Sequence, residues 1–175
     1  MGLIATFRRL RRRREMAVAR RAEDRRYRRG NDFEGHVARM FDPSRFELVH
    51  RTPTHAETGG RFVQSMAWPD LRLVEKSTGR EFWVEVKYRS HPGRRGSVEW
   101  CSEKQLGEYR RAARESGLPV LLMMGVGGTV RRPTRVYCID VSRMPYTTLY
   151  YGTYVGKRVR GKIKDLDSLL VTARA

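Results

Sequence analysis

Residues 68–87 read WPDLRLVEKSTGREFWVEVK, and the fold follows from how this stretch pairs with itself. Two runs rich in Val, Leu and aromatic residues flank a polar break containing Gly79, the pattern of a β-hairpin. With Lys76 to Gly79 as a four-residue loop, Glu75 faces Arg80. Counting back along both arms sets Asp70 opposite Glu85, with Lys87 diagonal to them on the same face. Two carboxylates facing each other across a sheet repel and weaken the pairing, so their placement calls for a compensating cation. Three charged groups on one small patch break a local rule, and such breaks mark candidate functional sites.

Downstream of the hairpin, residues 88–96 form a basic loop with Arg89, Arg94 and Arg95, placed to lie over a phosphate backbone or to be a solvated turn. Val98 to Cys101 reads as a short strand. Ser102 caps a helix that ends near Ser116-Gly117, with Leu106, Tyr109 and Ala113 on one face. Gln105 and Tyr109 are four apart and adjacent on that helix, while Ser102 and Gln105 also make a capping box. Leu118 to Val126 is continuously apolar, bounded by Pro119 and glycines, and reads as a buried strand. The glycines at 125, 127 and 128 lack the spacing of a dinucleotide loop and are read as a turn into a strand from Arg135 to Val141. Tyr146, Tyr150, Tyr151 and Tyr154 precede a basic run from Lys157 to Lys164, which suits nucleic-acid contact or a peripheral hairpin with a solvated end. Asp165 to Val171 reads as a last short helix.

Upstream, Phe33, Val37, Met40 and Phe41 recur at helical spacing, Asn31 is a good N-cap and Asp42-Pro43 closes the segment. Glu34, three residues after Asn31, completes a capping box. Phe46 to Arg51 alternates like a half-buried strand, Thr52 to Gly60 is a polar loop, and Arg61 to Ala67 leads into the hairpin. Residues 1–29 differ in kind: twelve arginines stand against three acids. Such an arm, Arg12 and Arg13 at its centre, binds phosphates without reading sequence, or is simply a solubilising tail. The divisions expected are an arm at 1–30, a folded domain at 31–143 and a basic, Tyr-rich extension at 144–175 packed on that domain.

Composition limits the partners. The 175 residues carry 37 Lys and Arg against 19 Asp and Glu, a formal charge of +18, which favours polyanions and nucleic acid first. Cys101 and Cys138 supply neither a disulfide framework nor a zinc site, and a reducing, cytoplasmic setting is expected, nucleoid or virion association included. No apolar run approaches the roughly 20 residues that span a bilayer, so neither secretion nor a membrane partner is expected.

The chain holds no internal repeat, phosphate-binding GxxxxGKS loop, HExxH zinc helix or serine elbow, which leaves the hairpin as the constellation with chemistry in it. The Asp70 and Glu85 carboxylates and the Val86 main-chain carbonyl are hard oxygen ligands suited to Mg²⁺, with waters completing the octahedron and Mn²⁺ as a substitute. A lysine two residues on can hold or deprotonate an attacking water and balance charge on a phosphate. The set is fit for phosphodiester hydrolysis.

At these residues the sequence resembles the PD-(D/E)XK nuclease superfamily, with its restriction-endonuclease-like fold. Pro69-Asp70, followed after fourteen residues by Glu85-Val86-Lys87, matches its signature. Glu34 fits the acidic residue that members carry on a preceding helix, and Gln105 with Tyr109, in QLGEY, looks like the QxxxY motif of one branch. The resemblance runs from Asn31 to Val141, and the layout looks like that of archaeal-type Holliday junction resolvases. It implies an α/β fold with a central mixed sheet flanked by helices in the order α-β-β-β-α-β. It also implies a Mg²⁺-dependent endonuclease acting on DNA, in which Asp70 and Glu85 bind metal, Lys87 acts on the water, and Gln105 supports the site or the DNA. RNA is left open as a substrate, and a two-strand cut would favour a homodimer. The alternatives are a non-catalytic nucleic-acid-binding protein on a degenerate nuclease fold and a basic scaffold protein.

Overall fold

The computed structural model describes residues 15–18, 29–53 and 68–175. The expected arm with Arg12 and Arg13, the rest of the polar loop and the run 61–67 lie outside the described residues. Residues 15–18 are helical, and the next described helical stretch, α1, covers residues 29–40. Asn31 therefore lies inside a helical turn and is not its N-cap, which removes the capping box expected for Glu34. A cap signal is local, and here the preceding Arg29-Gly30 turn stays helical despite it.

Among the described residues a six-stranded mixed sheet forms the centre, built from β1 (Phe46–Arg51), β2 (Leu71–Glu75), β3 (Glu81–Arg89), β5 (Val120–Thr129), β6 (Arg132–Asp140) and β8 (Arg158–Val159). They lie in the order β1-β2-β3-β5-β6-β8, antiparallel throughout except for the parallel pair β3–β5. The crossover between those two strands is α2 (Glu103–Ser116), as a parallel pair requires. β4 (Val98–Glu99) and β7 (Thr148–Leu149) pair separately.

Side chains alternate between two cores. Phe82, Val84 and Val86 of β3 face one side, where Phe33, Val37 and Phe41 join them from α1 and its end, and Leu166 and Leu169 from α4 (Leu166–Arg174). Trp83 faces the other, with Leu106 and Tyr109 of α2, Met124, Tyr137, and Tyr154 from the short α3 (Tyr151–Tyr154). Helices thus cover both faces, and β5 is buried on both sides over most of its length, which is why it reads as a continuous apolar run.

Three readings of the sequence are corrected. The glycines after Met124 do not form a turn: β5 runs through them to Thr129, and the chain reverses at Val130-Arg131. Gly125 is there because a Cβ would lie 2.4 Å from Phe33 Cζ, so only glycine lets α1 sit this close to the sheet. The Tyr-rich tail is not a peripheral hairpin: β7 pairs with β4, and β8 extends the main sheet beside β6. The last helix begins where expected, capped by Asp165, but runs on to Arg174. No described helix is long and apolar enough to cross a membrane.

Candidate active site

The β2–β3 register runs Leu71–Val84, Arg72–Trp83, Leu73–Phe82 and Val74–Glu81, closed by the Glu75 N–H donating to Arg80 O at 2.8 Å. Gly79 takes the left-handed φ of 67° that the turn needs. Extended by one residue, this register sets Asp70 against Glu85. One step further the ladder stops at Pro69, which has reached its end beside β1: the Thr52 hydroxyl donates to Pro69 O at 2.7 Å and the Thr52 N–H to Asp70 O at 2.8 Å. Val86 is thereby left without a strand partner on that side. The Asp70 carboxylate takes its place, with Oδ2 accepting the Val86 N–H at 2.7 Å.

Glu85 sits in the buried middle of β3, 2% exposed. A carboxylate there needs paired donors, and it has two: the Tyr109 hydroxyl from α2 donates to Oε1 at 2.6 Å, and the Lys87 ammonium pairs with the same oxygen. Burial of Asp70 and the neighbouring Glu85 charge push the Asp70 carboxyl well above the ordinary aspartate range, Glu34 adding to the effect while Lys87 and the Val86 N–H oppose it. Burial alone would lower Lys87, but Glu85 and Asp70 outweigh it and raise the ammonium above an ordinary lysine. Lys87 is therefore a cation and a hydrogen-bond donor in this arrangement, with its ammonium 5.9 Å from the centre of the Tyr109 ring. Burial, and then Glu85, push the Tyr109 phenol up, so it stays a neutral donor.

Asp70, Val86 and Lys87 open onto a cleft of about 1060 Å³ that Glu34, Arg89 and Thr148 also line. Glu34 reaches it from α1, its carboxylate accepting from Arg51 at 3.1 Å. Arg89 lines the cleft with its donors committed to the protein, to Glu99 O at 2.8 Å, Tyr88 O at 3.0 Å and Trp100 O at 3.2 Å. It ties the end of β3 to β4. Arg94 and Arg95 lie beside the cleft, exposed, in the helical turn Arg94–Gly96, where Arg95 takes a left-handed φ of 56°. Gln105 is not among the described residues lining the cleft. It closes the capping box instead, Oε1 accepting the Ser102 N–H at 3.1 Å while Ser102 Oγ accepts the Gln105 N–H at 3.3 Å.

Two contributions escaped the sequence reading. Thr148 enters the cleft through the pairing of β7 with β4, for which the sequence carries no local signal. Tyr109 donates to Glu85, a link foreshadowed only by its place on the buried face of α2. Among the described residues no three His, Cys, Asp or Glu side chains are grouped to hold a metal. The donor set is two carboxylates whose charges oppose each other, with an open cleft beside them. That fits Mg²⁺, which binds through one or two carboxylates and keeps its waters, better than an ion needing an all-protein cage.

No protein-family model matches the sequence, and no curated protein matches it. Among solved structures the fold is similar to that of Archaeoglobus fulgidus Hjc, a Holliday junction resolvase from an archaeal hyperthermophile, with a TM-score of 0.56. The match covers 82% of this chain and 99% of the resolvase at 14% identity. At that identity the likeness is one of fold alone, a central mixed sheet flanked by helices, consistent with the restriction-endonuclease-like architecture expected from the sequence.

Proposed function

We propose that this protein is a metal-dependent nuclease that hydrolyses phosphodiester bonds of DNA, branched or structured DNA included. The observation that carries the reading is the convergence of Asp70, Glu85 and Lys87 at one end of a hairpin, beside an open cleft. An opposed pair of carboxylates costs stability, and the Lys87 ammonium offsets only one of the two charges.

Asp70 and Glu85, with the Val86 carbonyl, would hold Mg²⁺, or Mn²⁺ in its place. The ion supplies an acidified water and neutralises charge on the phosphate. The chain's own residues do the rest. The Val86 N–H fixes the Asp70 rotamer, and the Tyr109 hydroxyl fixes Glu85. Lys87, charged and 20% exposed, reaches the cleft to donate to a water or a phosphate oxygen. Glu34 adds a third acid at the cleft wall.

The test is a cleavage panel of linear duplex, single-stranded, flap and four-way-junction DNA, and RNA, each with Mg²⁺ or Mn²⁺. We expect cut DNA products with wild type, and intact substrate with Asp70→Ala and Lys87→Ala, both of which still bind. If every substrate stays intact with wild type, the enzyme reading is wrong, and retained binding would favour the non-catalytic alternative. A cut in both strands calls for two such sites and hence a symmetric dimer in light scattering.

A further inference from the structure

One rung of the main sheet crosses four strands in register: Lys87 pairs with Met124, Met124 with Tyr137, and Tyr137 with Arg158. Directly paired residues point to the same face, so Arg158 emerges on the face of Lys87. Three strand spacings separate their backbones, about 14 Å. On the next rung in that direction Arg89 pairs with Val126 and Val126 with Arg135. Arg135, on β6, and Arg158, brought there by the tail strand β8, therefore lie on the face and at the end of the sheet that carry the candidate active site.

With Arg160, Tyr151 and the Gly156 backbone they line a pocket of about 340 Å³, and no carboxylate is among its lining residues. None of the three arginines has a salt bridge among the described residues, whereas Arg51, Arg72, Arg80 and Arg174 are each held by an acid. Arg135 stands beside Tyr137 and Tyr151, whose hydroxyls hold its guanidinium above the ordinary arginine range. Three guanidinium groups gathered without a counter-charge repel one another, and their forked donors match the oxygens of a phosphodiester.

The pocket and the cleft are neighbours. Tyr151 packs so closely on the loop before β4 that a Cβ on Gly96 would lie 2.9 Å from its own Cβ, and the Tyr154 hydroxyl donates to Gly96 O at 2.7 Å. Gly93 and Ser97 of that same loop line the cleft.

We propose that Arg135, Arg158 and Arg160, with Tyr151, form a second phosphate subsite that grips the backbone of the nucleic-acid strand whose scissile bond lies in the cleft. A duplex strand advances about 3.4 Å per phosphate along its axis, so the separation corresponds to about four phosphates of duplex and fewer of a strand that runs extended. The preferred substrate is thus one that continues for several nucleotides to this side of the cut. The placing of the scissile bond rests on the nuclease reading; the phosphate subsite itself does not.

The test uses the full-length protein in EDTA, with anisotropy of a labelled DNA duplex read across a salt series. The triple variant Arg135→Ala/Arg158→Ala/Arg160→Ala should bind on the order of tenfold more weakly, with a log–log salt slope smaller by about 2 to 3. Arg158→Glu alone should weaken binding in the same direction, and circular dichroism checks that both variants are folded. Single methylphosphonate replacements along one strand should weaken wild type at a phosphate some two to four nucleotides from the cut, and leave the triple variant indifferent at that position. Unchanged affinity and slope in both folded variants would overturn the subsite. So would undiminished DNA binding alongside lost binding to phosphatidylserine vesicles, which would make the pocket a membrane contact. Because binding is read without metal, failure of the nuclease reading leaves this result standing: nothing is cut, yet the variants still lose affinity.

Discussion

The Tyr109 hydroxyl donates to Glu85 Oε1 at 2.6 Å, joining α2 to the central strand β3 inside the core. The bond fixes a buried carboxylate at the edge of the cleft, and it does so from the helix that also makes the parallel crossover. Tyr109→Phe keeps the ring packed on Trp100 and removes only the donor. Loss of a donor to a buried charge should cost about 1–3 kcal/mol in urea unfolding. Cleavage should fall while DNA binding in EDTA stays within twofold, because the buried hydroxyl acts through Glu85. An unaltered cleavage rate would separate Tyr109 from the site.

Asp70 and Glu85 predict a trade of stability against activity. The Asp70 carboxyl is raised by burial and by Glu85, so its charged form at neutral pH is a cost to the folded state. Asp70→Asn removes that charge and can still accept the Val86 N–H through its amide oxygen. The variant should melt higher than wild type without metal and fail to cut DNA. Mg²⁺ should raise the melting temperature of wild type and leave that of Asp70→Asn unchanged, since binding to the native state stabilises it. Equal Mg²⁺ shifts in the two proteins would place the ion elsewhere.

Glu75 sets the acid limit of stability. Burial alone would raise its carboxyl, but the Thr78 hydroxyl at 2.6 Å, the Leu166 N–H at 2.7 Å and Arg80 at 2.9 Å outweigh that and hold it below the ordinary glutamate range. A depressed carboxyl contributes stability that is fully present above its unfolded pKa, about 4.3, and is lost as pH falls through the lower folded value. Urea midpoints measured from pH 7 downward should decline across that window in wild type. Glu75→Gln should start lower, by about 1–3 kcal/mol, and decline less steeply. Parallel curves for the two proteins would remove Glu75 from the acid transition.

Gly125→Ala tests how the sheet supports α1. The new methyl would meet Phe33 Cζ at 2.4 Å, in a strand buried on both faces. Overpacking of this kind costs about 1–3 kcal/mol. Because Phe33 and Glu34 are consecutive on α1, the shift that relieves the clash also moves Glu34 at the cleft wall. Reduced cleavage alongside the lost stability is expected, and Phe33→Leu in the same chain should restore part of both. A Gly125→Ala protein as stable as wild type would show that α1 is not held at this contact.

What could be read along the chain was local. The hairpin register from Leu71 to Val84 follows from one turn and a count of two. The Ser102–Gln105 capping box is three residues wide, and the apolar run after Pro119 marks a strand buried on both sides. The Asn31 cap failed because a local signal was outvoted by a helix that begins earlier, and the glycines near residue 127 failed because β5 tolerates them against β6.

The sequence by itself determined that Asp70, Glu85 and Lys87 share one face, since strand periodicity and turn length leave no other choice. Tertiary structure alone decided what surrounds them. Tyr109 lies 24 residues from Glu85, the Leu166 N–H lies 91 residues from Glu75, and Arg158 reaches the face of Lys87 only because β8 pairs with β6. Such partners are chosen when the whole chain closes its loops and buries both faces of one sheet. The choice is made among many distant segments at once, and no short stretch of sequence records which of them prevails.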